Sequence, residues 1–192
     1  MIEPSSIISG MSFPKIGVVV STTRPSRIGP KVAEWVSQLA PYDAQVEIVD
    51  LAEVALPFLE DHAVPAAGDY DRPSTIAWSQ RVRGYDALVL TVAEYNGGYP
   101  AVLKNALDTL KQEWAGMPVA VVGYGWGGAA AATAALGTVL DRLRMVRLDG
   151  PGLRFGEDLS TEGEILADAP EDAVRGLYDQ LLAAVRESQP AA

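Results

Sequence analysis

The apolar run Leu88-Val89-Leu90-Thr91-Val92 breaks off at Ala93-Glu94-Tyr95-Asn96-Gly97-Gly98, and this junction constrains the fold more than any other stretch. The run is long enough for a strand and too short for a free-standing helix. Pro100 then opens an amphipathic segment, where its missing N–H costs nothing and its fixed φ helps start a helix. Apolar residues return at Val102, Leu103, Ala106, Leu107 and Leu110, a helical period that carries on towards Trp114, with Lys104, Lys111 and Gln112 turned elsewhere. A buried strand therefore runs through a polar, glycine-bearing loop into a helix. In an open α/β sheet that loop lies at the strand's carboxyl end, where ligands bind.

The unit recurs. Lys15–Val20 (KIGVVV) is apolar after its first residue, as a central strand covered on both faces should be. Further strands are predicted over 46–50, 87–92, 119–123 and 144–148, the last centred on Met145 to Leu148. Helices are predicted from about Pro30 with Val32, Ala33, Val36 and Leu39 inward, from a Ser74 cap to Val82 with Ile76, Ala77 and Trp78 buried, over Ala129–Leu140, and over Glu171–Glu187 with Val174, Leu177, Leu181, Leu182 and Val185 inward. Alternation of this kind predicts one doubly wound, three-layer α/β domain over residues 15–188, with five parallel strands. The handedness of crossovers favours the order 2-1-3-4-5. Residues 61–73, rich in Ala, Gly, Pro and Asp, read as a long surface excursion, mobile or ordered by a partner subunit. Residues 151–170 carry no readable period, and residues 1–14 read as a loose leader in which Met11 is an alternative start.

Composition removes whole classes of chemistry. With no cysteine there are no disulfides, thiolate metal sites or thiol nucleophiles, and with His62 alone there is no multi-histidine centre. The net charge of −10 argues against nonspecific attraction to nucleic acid or anionic membrane. Ten acidic against three basic residues lie from Asp149 onward, so the rest of the chain is close to balanced and its arginines can act locally. No apolar run approaches the about 18 residues of a membrane span, and no signal peptide is evident, so the expected compartment is the cytoplasm.

Three polar loops follow the first, third and fourth strands, which are neighbours in the order 2-1-3-4-5, and so converge on one crevice. The first holds the hydroxyls of Ser21, Thr22, Thr23 and Ser26 and the guanidiniums of Arg24 and Arg27 beside a helix start, a set suited to a phosphate. The same residues could equally cap the helix and be solvated. The loop is neither a P-loop nor a Gly-x-Gly-x-x-Gly fingerprint, which favours a monophosphate. The second loop, Ala93 to Gly98, offers peptide groups, a carboxylate, a phenol and an amide to the edge of a planar heterocycle; alternatively Glu94 is a helix-start charge and Asn96 a turn residue. The third, Tyr124-Gly125-Trp126-Gly127-Gly128, would let a flat ring come close, with Trp126 stacking on it or standing as a surface anchor.

These motifs resemble the NADPH-dependent FMN reductase family, which has a flavodoxin-like fold. The family's first loop, Gly-Ser-x-Arg-x-x-Arg/Ser, is matched by Ser21-Thr22-Thr23-Arg24-Pro25-Ser26-Arg27. Its Pro-Glu-Tyr-Asn-Gly followed by Leu-Lys-Asn-Ala-Leu-Asp is matched by Ala93 to Gly97 and Leu103 to Asp108. The resemblance implies that Thr22, Arg24 and Arg27, beside Ile28, hold an FMN phosphate. It implies too that Ala93, Glu94, Tyr95, Asn96 and Gly97 follow the isoalloxazine and ribityl, that Tyr124, Gly125 and Trp126 border the ring, and that Asn105 and Asp108 are structural. Two residues depart from the pattern: Ser21 stands for glycine and Ala93 for proline, the second loosening a loop that proline would preset.

The activity so implied is NADPH- or NADH-dependent reduction of a small acceptor (a quinone, free flavin, azo compound or metal oxyanion) by hydride transfer through flavin N5, with no side-chain acid or base. The alternatives are an FMN-binding electron carrier or redox sensor, and a scaffold that has lost its flavin. The resemblance also implies a homodimer or homotetramer, with Tyr95, Tyr99, Trp114 and the 51–73 excursion as contacts or as ordinary packing. Neither nucleic acid nor membrane is an expected partner.

Overall fold

The computed structural model describes residues 13–188, so the expected leader and the start at Met11 lie outside it, apart from Phe13 and Pro14. Five strands, β1 (Lys15–Val20), β2 (Gln45–Asp50), β3 (Ala87–Ala93), β4 (Pro118–Gly125) and β5 (Val146–Arg154), form one parallel sheet in the order β2-β1-β3-β4-β5. This is the flavodoxin-like three-layer arrangement that the alternating strands and helices predict.

The sheet buries both faces because its central strands carry apolar side chains on both. Ile16, Val18, Val20, Val89, Ala120, Val122 and Tyr124 pack on one side, against helices α1 (Gly29–Gln38) and α6 (Glu171–Ser188). Val19, Leu88, Leu90, Val92, Val119 and Val121 point the other way, towards α2 (Leu51–Val54), α3 (Pro73–Val82), α4 (Ala101–Asp108) and α5 (Ala130–Arg142). Every residue of β3 and β4 is buried, whereas β2 and β5, at the edges, are partly exposed.

Three local expectations are corrected. Arg72, and not Ser74, precedes α3, and Pro73 occupies its first turn. Asp61 anchors this start from the preceding segment, accepting from the backbone N–H of Asp71 and Arg72, just before the helix, at 2.9 and 3.1 Å and from the Thr75 hydroxyl at 2.5 Å. The buried face of α3 is Thr75, Trp78, Ser79 and Val82, an i, i+3, i+4, i+7 set, so Ile76 and Ala77 face out. Strand β5 runs six residues beyond Leu148, passing Gly150-Pro151-Gly152 with a register shift between Val121 and Gly123. An edge strand tolerates proline at such an irregularity. A Cβ at Gly152 would come within 2.4 Å of the Gly128 carbonyl, so only glycine lets β5 pass the third loop. Of the two readings left open for Trp114, ordinary packing holds: it is 1% exposed and donates its indole N–H to the Leu107 carbonyl.

The excursion is tied down within the chain itself. Tyr70 donates to Glu113 at 2.8 Å, and Glu113 also accepts from the Ser79 hydroxyl at 2.7 Å and from Arg83 at 2.9 Å. Asn105 holds the stretch before it, donating to the Pro57 carbonyl and accepting from the Leu59 N–H, which is the structural role expected of that residue. His62 lies on the excursion's surface, 77% exposed, against Asp71. Among the described residues no helix is long and apolar enough to cross a membrane.

Candidate functional site

The loops after β1, β3 and β4 meet at the carboxyl end of the sheet and enclose a cleft of about 460 Å³. Its walls are Thr22, Arg24, Ser26, Arg27 and Ile28 from the first loop, Ala93, Glu94 and Tyr95 from the second, and Tyr124 to Gly127 from the third. Ten of the twelve residues expected at the site are thus in one place. Asn96 and Gly97 are not among the lining residues. With φ of 53° and 75° they form the tip of a tight hairpin closed by paired hydrogen bonds between Tyr95 and Gly98. Asn-Gly is the dipeptide that such a turn selects.

Size does not single the cleft out, since a depression of about 470 Å³ lies behind Gly127 and Gly128. Its floor does. The Thr22 hydroxyl and the Tyr124 hydroxyl are both buried and lie close to one another, and neither makes a hydrogen bond of normal geometry to any other group of the protein. Burial pushes the Tyr124 phenol up to about 12, so at neutral pH it is a protonated donor. Both hydroxyls crowd Gly29, where a Cβ would fall 2.4 Å from the Thr22 oxygen and 2.9 Å from the Tyr124 oxygen. A buried hydroxyl without a partner costs roughly 1–3 kcal/mol, which a polar ligand would recover. Directly above, α1 starts at Gly29-Pro30 with no side chain capping it, leaving helix N–H groups available to an anion.

The charges around this floor are not alike. Arg24 is exposed, makes one long contact to Ser26 at 3.5 Å, and lies 5.9 Å from the Tyr95 ring. Arg27 is engaged: its guanidinium meets Asp50 through two bonds of 2.6 Å and donates to the Thr22 carbonyl at 2.5 Å. Glu94 turns towards α5, where one carboxylate oxygen accepts from the N–H groups of Ala131 and Ala132 at 3.0 and 3.1 Å. The helix-start charge expected of Glu94 is therefore real, but the helix is the one after β4. Ala129, in the left-handed region at φ 57°, offers that helix no side-chain cap, so Glu94 supplies it from across the cleft and links the second loop to the third.

Both departures from the motif are absorbed by the sheet. Ser21 sends its hydroxyl to the Thr91 carbonyl at 2.6 Å, away from the cleft, which it does not line. Ala93 is the last residue of β3 and pairs with Tyr124, so strand pairing sets the backbone where proline would have.

Sequence reasoning missed Phe155 and Thr161, which close the cleft from the segment after β5. Phe155 stands edge-on to Trp126, with ring centroids 5.3 Å apart, while Trp126 itself is 77% exposed. No pattern marks these residues locally. They reach the site because β5 extends alongside β4 as far as Arg154, and short bridges of Leu159 to Phe155 and Ile165 fold the following segment back.

Residues 14–158 match the family model described as NADPH-dependent FMN reductase, a span that contains every cleft residue except Thr161. The chain is 34% identical over 154 residues to the NAD(P)H-dependent FMN reductase LOT6 of Saccharomyces cerevisiae, covering 73% of this chain and 81% of that protein. It is 29% identical over 184 residues to a 2-hydroxy-1,4-benzoquinone reductase of a Burkholderia species, covering 90% and 97%. Among solved structures, the flavoenzyme NAD(P)H:(acceptor) oxidoreductase FerB of Paracoccus denitrificans superposes with a TM-score of 0.72 at 23% identity, covering 91% and 98%, a likeness of fold. By the match over three quarters of its length, this chain belongs to the NADPH-dependent FMN reductase family of oxidoreductases.

Proposed function

We propose that the protein binds FMN in the three-loop cleft and uses NADPH or NADH to reduce a small-molecule acceptor of the quinone, free flavin, azo or metal-oxyanion type, as a cytoplasmic homodimer or homotetramer. The observation that carries the reading is the pair of buried hydroxyls of Thr22 and Tyr124, with no well-formed bond to the rest of the protein, beside an uncapped helix start. Hydroxyl donors, free helix N–H groups and an uncommitted arginine are the donor set that a phosphomonoester requires. The residues present therefore fit the phosphate end of FMN.

Each loop then has a task. Thr22 and the start of α1 would bind the phosphate, with Arg24 neutralising it. Ala93, Glu94 and Tyr95 would present peptide groups along the ring edge, the hairpin at Asn96-Gly97 stiffening that wall. Gly125, with φ 150° and open space within 4 Å of where a Cβ would stand, leaves backbone free to meet a flat ring. Trp126 and Phe155 stand at the mouth and would cover one side of a planar guest. The bound flavin would supply two-electron hydride chemistry at N5, which no side chain here can provide. The protein supplies position, charge balance and partial exclusion of water.

The test is reconstitution. Purified protein mixed with FMN and freed of excess should be yellow, and should oxidise NADPH or NADH faster with a quinone than with oxygen alone. Protein that stays colourless refutes the reading. Protein that binds FMN and oxidises neither nicotinamide is an electron carrier or sensor.

A further inference from the structure

Arg27 presents an unusual arrangement for a residue at a phosphate site. Its terminal nitrogens face a carboxylate: Nη1 and Nη2 each donate to one oxygen of Asp50 at 2.6 Å, and the second hydrogen of Nη1 goes to the Thr22 carbonyl at 2.5 Å. The pair is largely shielded, with side-chain exposures of 19% and 12%. Three of the five guanidinium donors are thus spent, including the end-on fork of Nη1 and Nη2, one of the two edges with which arginine grips an oxyanion bidentately.

Asp50 is itself fixed from two further directions. It ends β2 in register with Val20, the last residue of β1, and its side chain caps α2 through the Ala52 N–H at 3.0 Å. The resulting chain of contacts runs from the edge strand through Asp50 and Arg27 to the Thr22 carbonyl. Because a trans peptide is planar, holding that carbonyl also sets the direction of the Thr23 N–H. Arg24 has no such restraint.

We propose that Asp50 is a positioning residue for the phosphate end of the cleft: it takes up the fork of Arg27, so that Arg27 shapes the first loop while Arg24 carries the charge that meets the phosphate. This rests on the FMN reading above. It divides between two arginines a role that the motif assigns to both. It also recruits a residue from β2, a strand that contributes nothing to the lining of the cleft.

The deciding variant is Asp50→Asn. Asparagine caps helices as well as aspartate does, so α2 should survive, while the second acceptor for the fork becomes a donor. If Asp50 positions the loop, FMN affinity measured by quenching of flavin fluorescence should fall on the order of tenfold, the loss of one charge-assisted bond. Arg27→Lys, which keeps the charge and loses the fork, should lose about as much. Arg24→Ala should instead erase the preference for FMN over riboflavin, which lacks the phosphate. Asp50→Asn protein that binds FMN as tightly as the parent, or more tightly, overturns the proposal, because Asp50 would then be a bystander or a competitor for Arg27. A flavin-free measurement separates this from the FMN reading. Amide hydrogen exchange over residues 22–28 should quicken in Asp50→Asn apoprotein, and unchanged exchange overturns the proposal whether or not the parent takes up flavin. A parent that takes up no FMN, with exchange in the variant quickened, would sink the cofactor reading and leave the positioning role standing.

Discussion

Replacing Glu94 by alanine should weaken the attachment of α5 to the second loop by a predictable amount. The carboxylate makes two bonds, to the N–H groups of Ala131 and Ala132, at a helix start where Ala129 and its neighbours supply no side-chain acceptor. Losing an N-terminal cap costs about 0.5–2 kcal/mol, and removing a negative charge from a helix N-terminus about 0.3–1 kcal/mol. Glu94 is half-buried, so solvent replaces these bonds incompletely, and the expected loss is about 2 kcal/mol. For a domain of this size that lowers Tm by roughly 4–8 °C. Glu94→Gln keeps a carbonyl acceptor without the charge and should lose less than half as much. Urea and thermal unfolding of the flavin-free proteins, followed by circular dichroism, measure both variants. The reasoning fails if Glu94→Ala unfolds within about 0.3 kcal/mol of the parent, or if Glu94→Gln is as damaged as Glu94→Ala.

Two further predictions concern the rest of the fold and the mouth of the cleft. Burial works against the ionisation of Glu113, but the bonds from Ser79, Arg83 and Tyr70 outweigh it and hold the carboxyl at about 2. A depressed acid stabilises the folded state fully above its unfolded value near 4.5 and loses that contribution as the pH falls towards 2, so stability should decline over that window and Glu113→Gln should flatten the decline. Urea midpoints between pH 2 and 6 give the comparison, and a parallel decline in both proteins would contradict the assignment. Trp126→Ala removes a side chain that is 77% exposed, so unfolding should change by less than about 0.5 kcal/mol while FMN binding or the KM for the acceptor worsens severalfold. Unaltered binding and kinetics would return Trp126 to the status of a surface anchor.

Much of this molecule was legible in one dimension because its information is local. Apolar runs such as Lys15–Val20 and Leu88–Val92, each ending in a polar loop, imply central strands buried on both faces. Parallel strands demand crossovers of one hand, and the strand order follows. The strand order so favoured sets which loops converge, and the resemblance to the family's motifs picked out within them the residues of which ten meet in one cleft.

What tertiary structure decided is which partner each polar group takes. Glu94 could have capped the helix beside it, yet it caps α5, because β3 and β4 bring their loops side by side. Arg24 and Arg27 read alike in the first loop, but β2 places Asp50 against only one of them. Phe155 and Thr161 join the site through the unexpected length of β5, which depends on glycine at position 152 facing glycine at 128. Periodicity reports how a residue sits on its own element. Long-range polar pairing depends on which elements become neighbours and on how far each strand runs, and no local pattern encodes either.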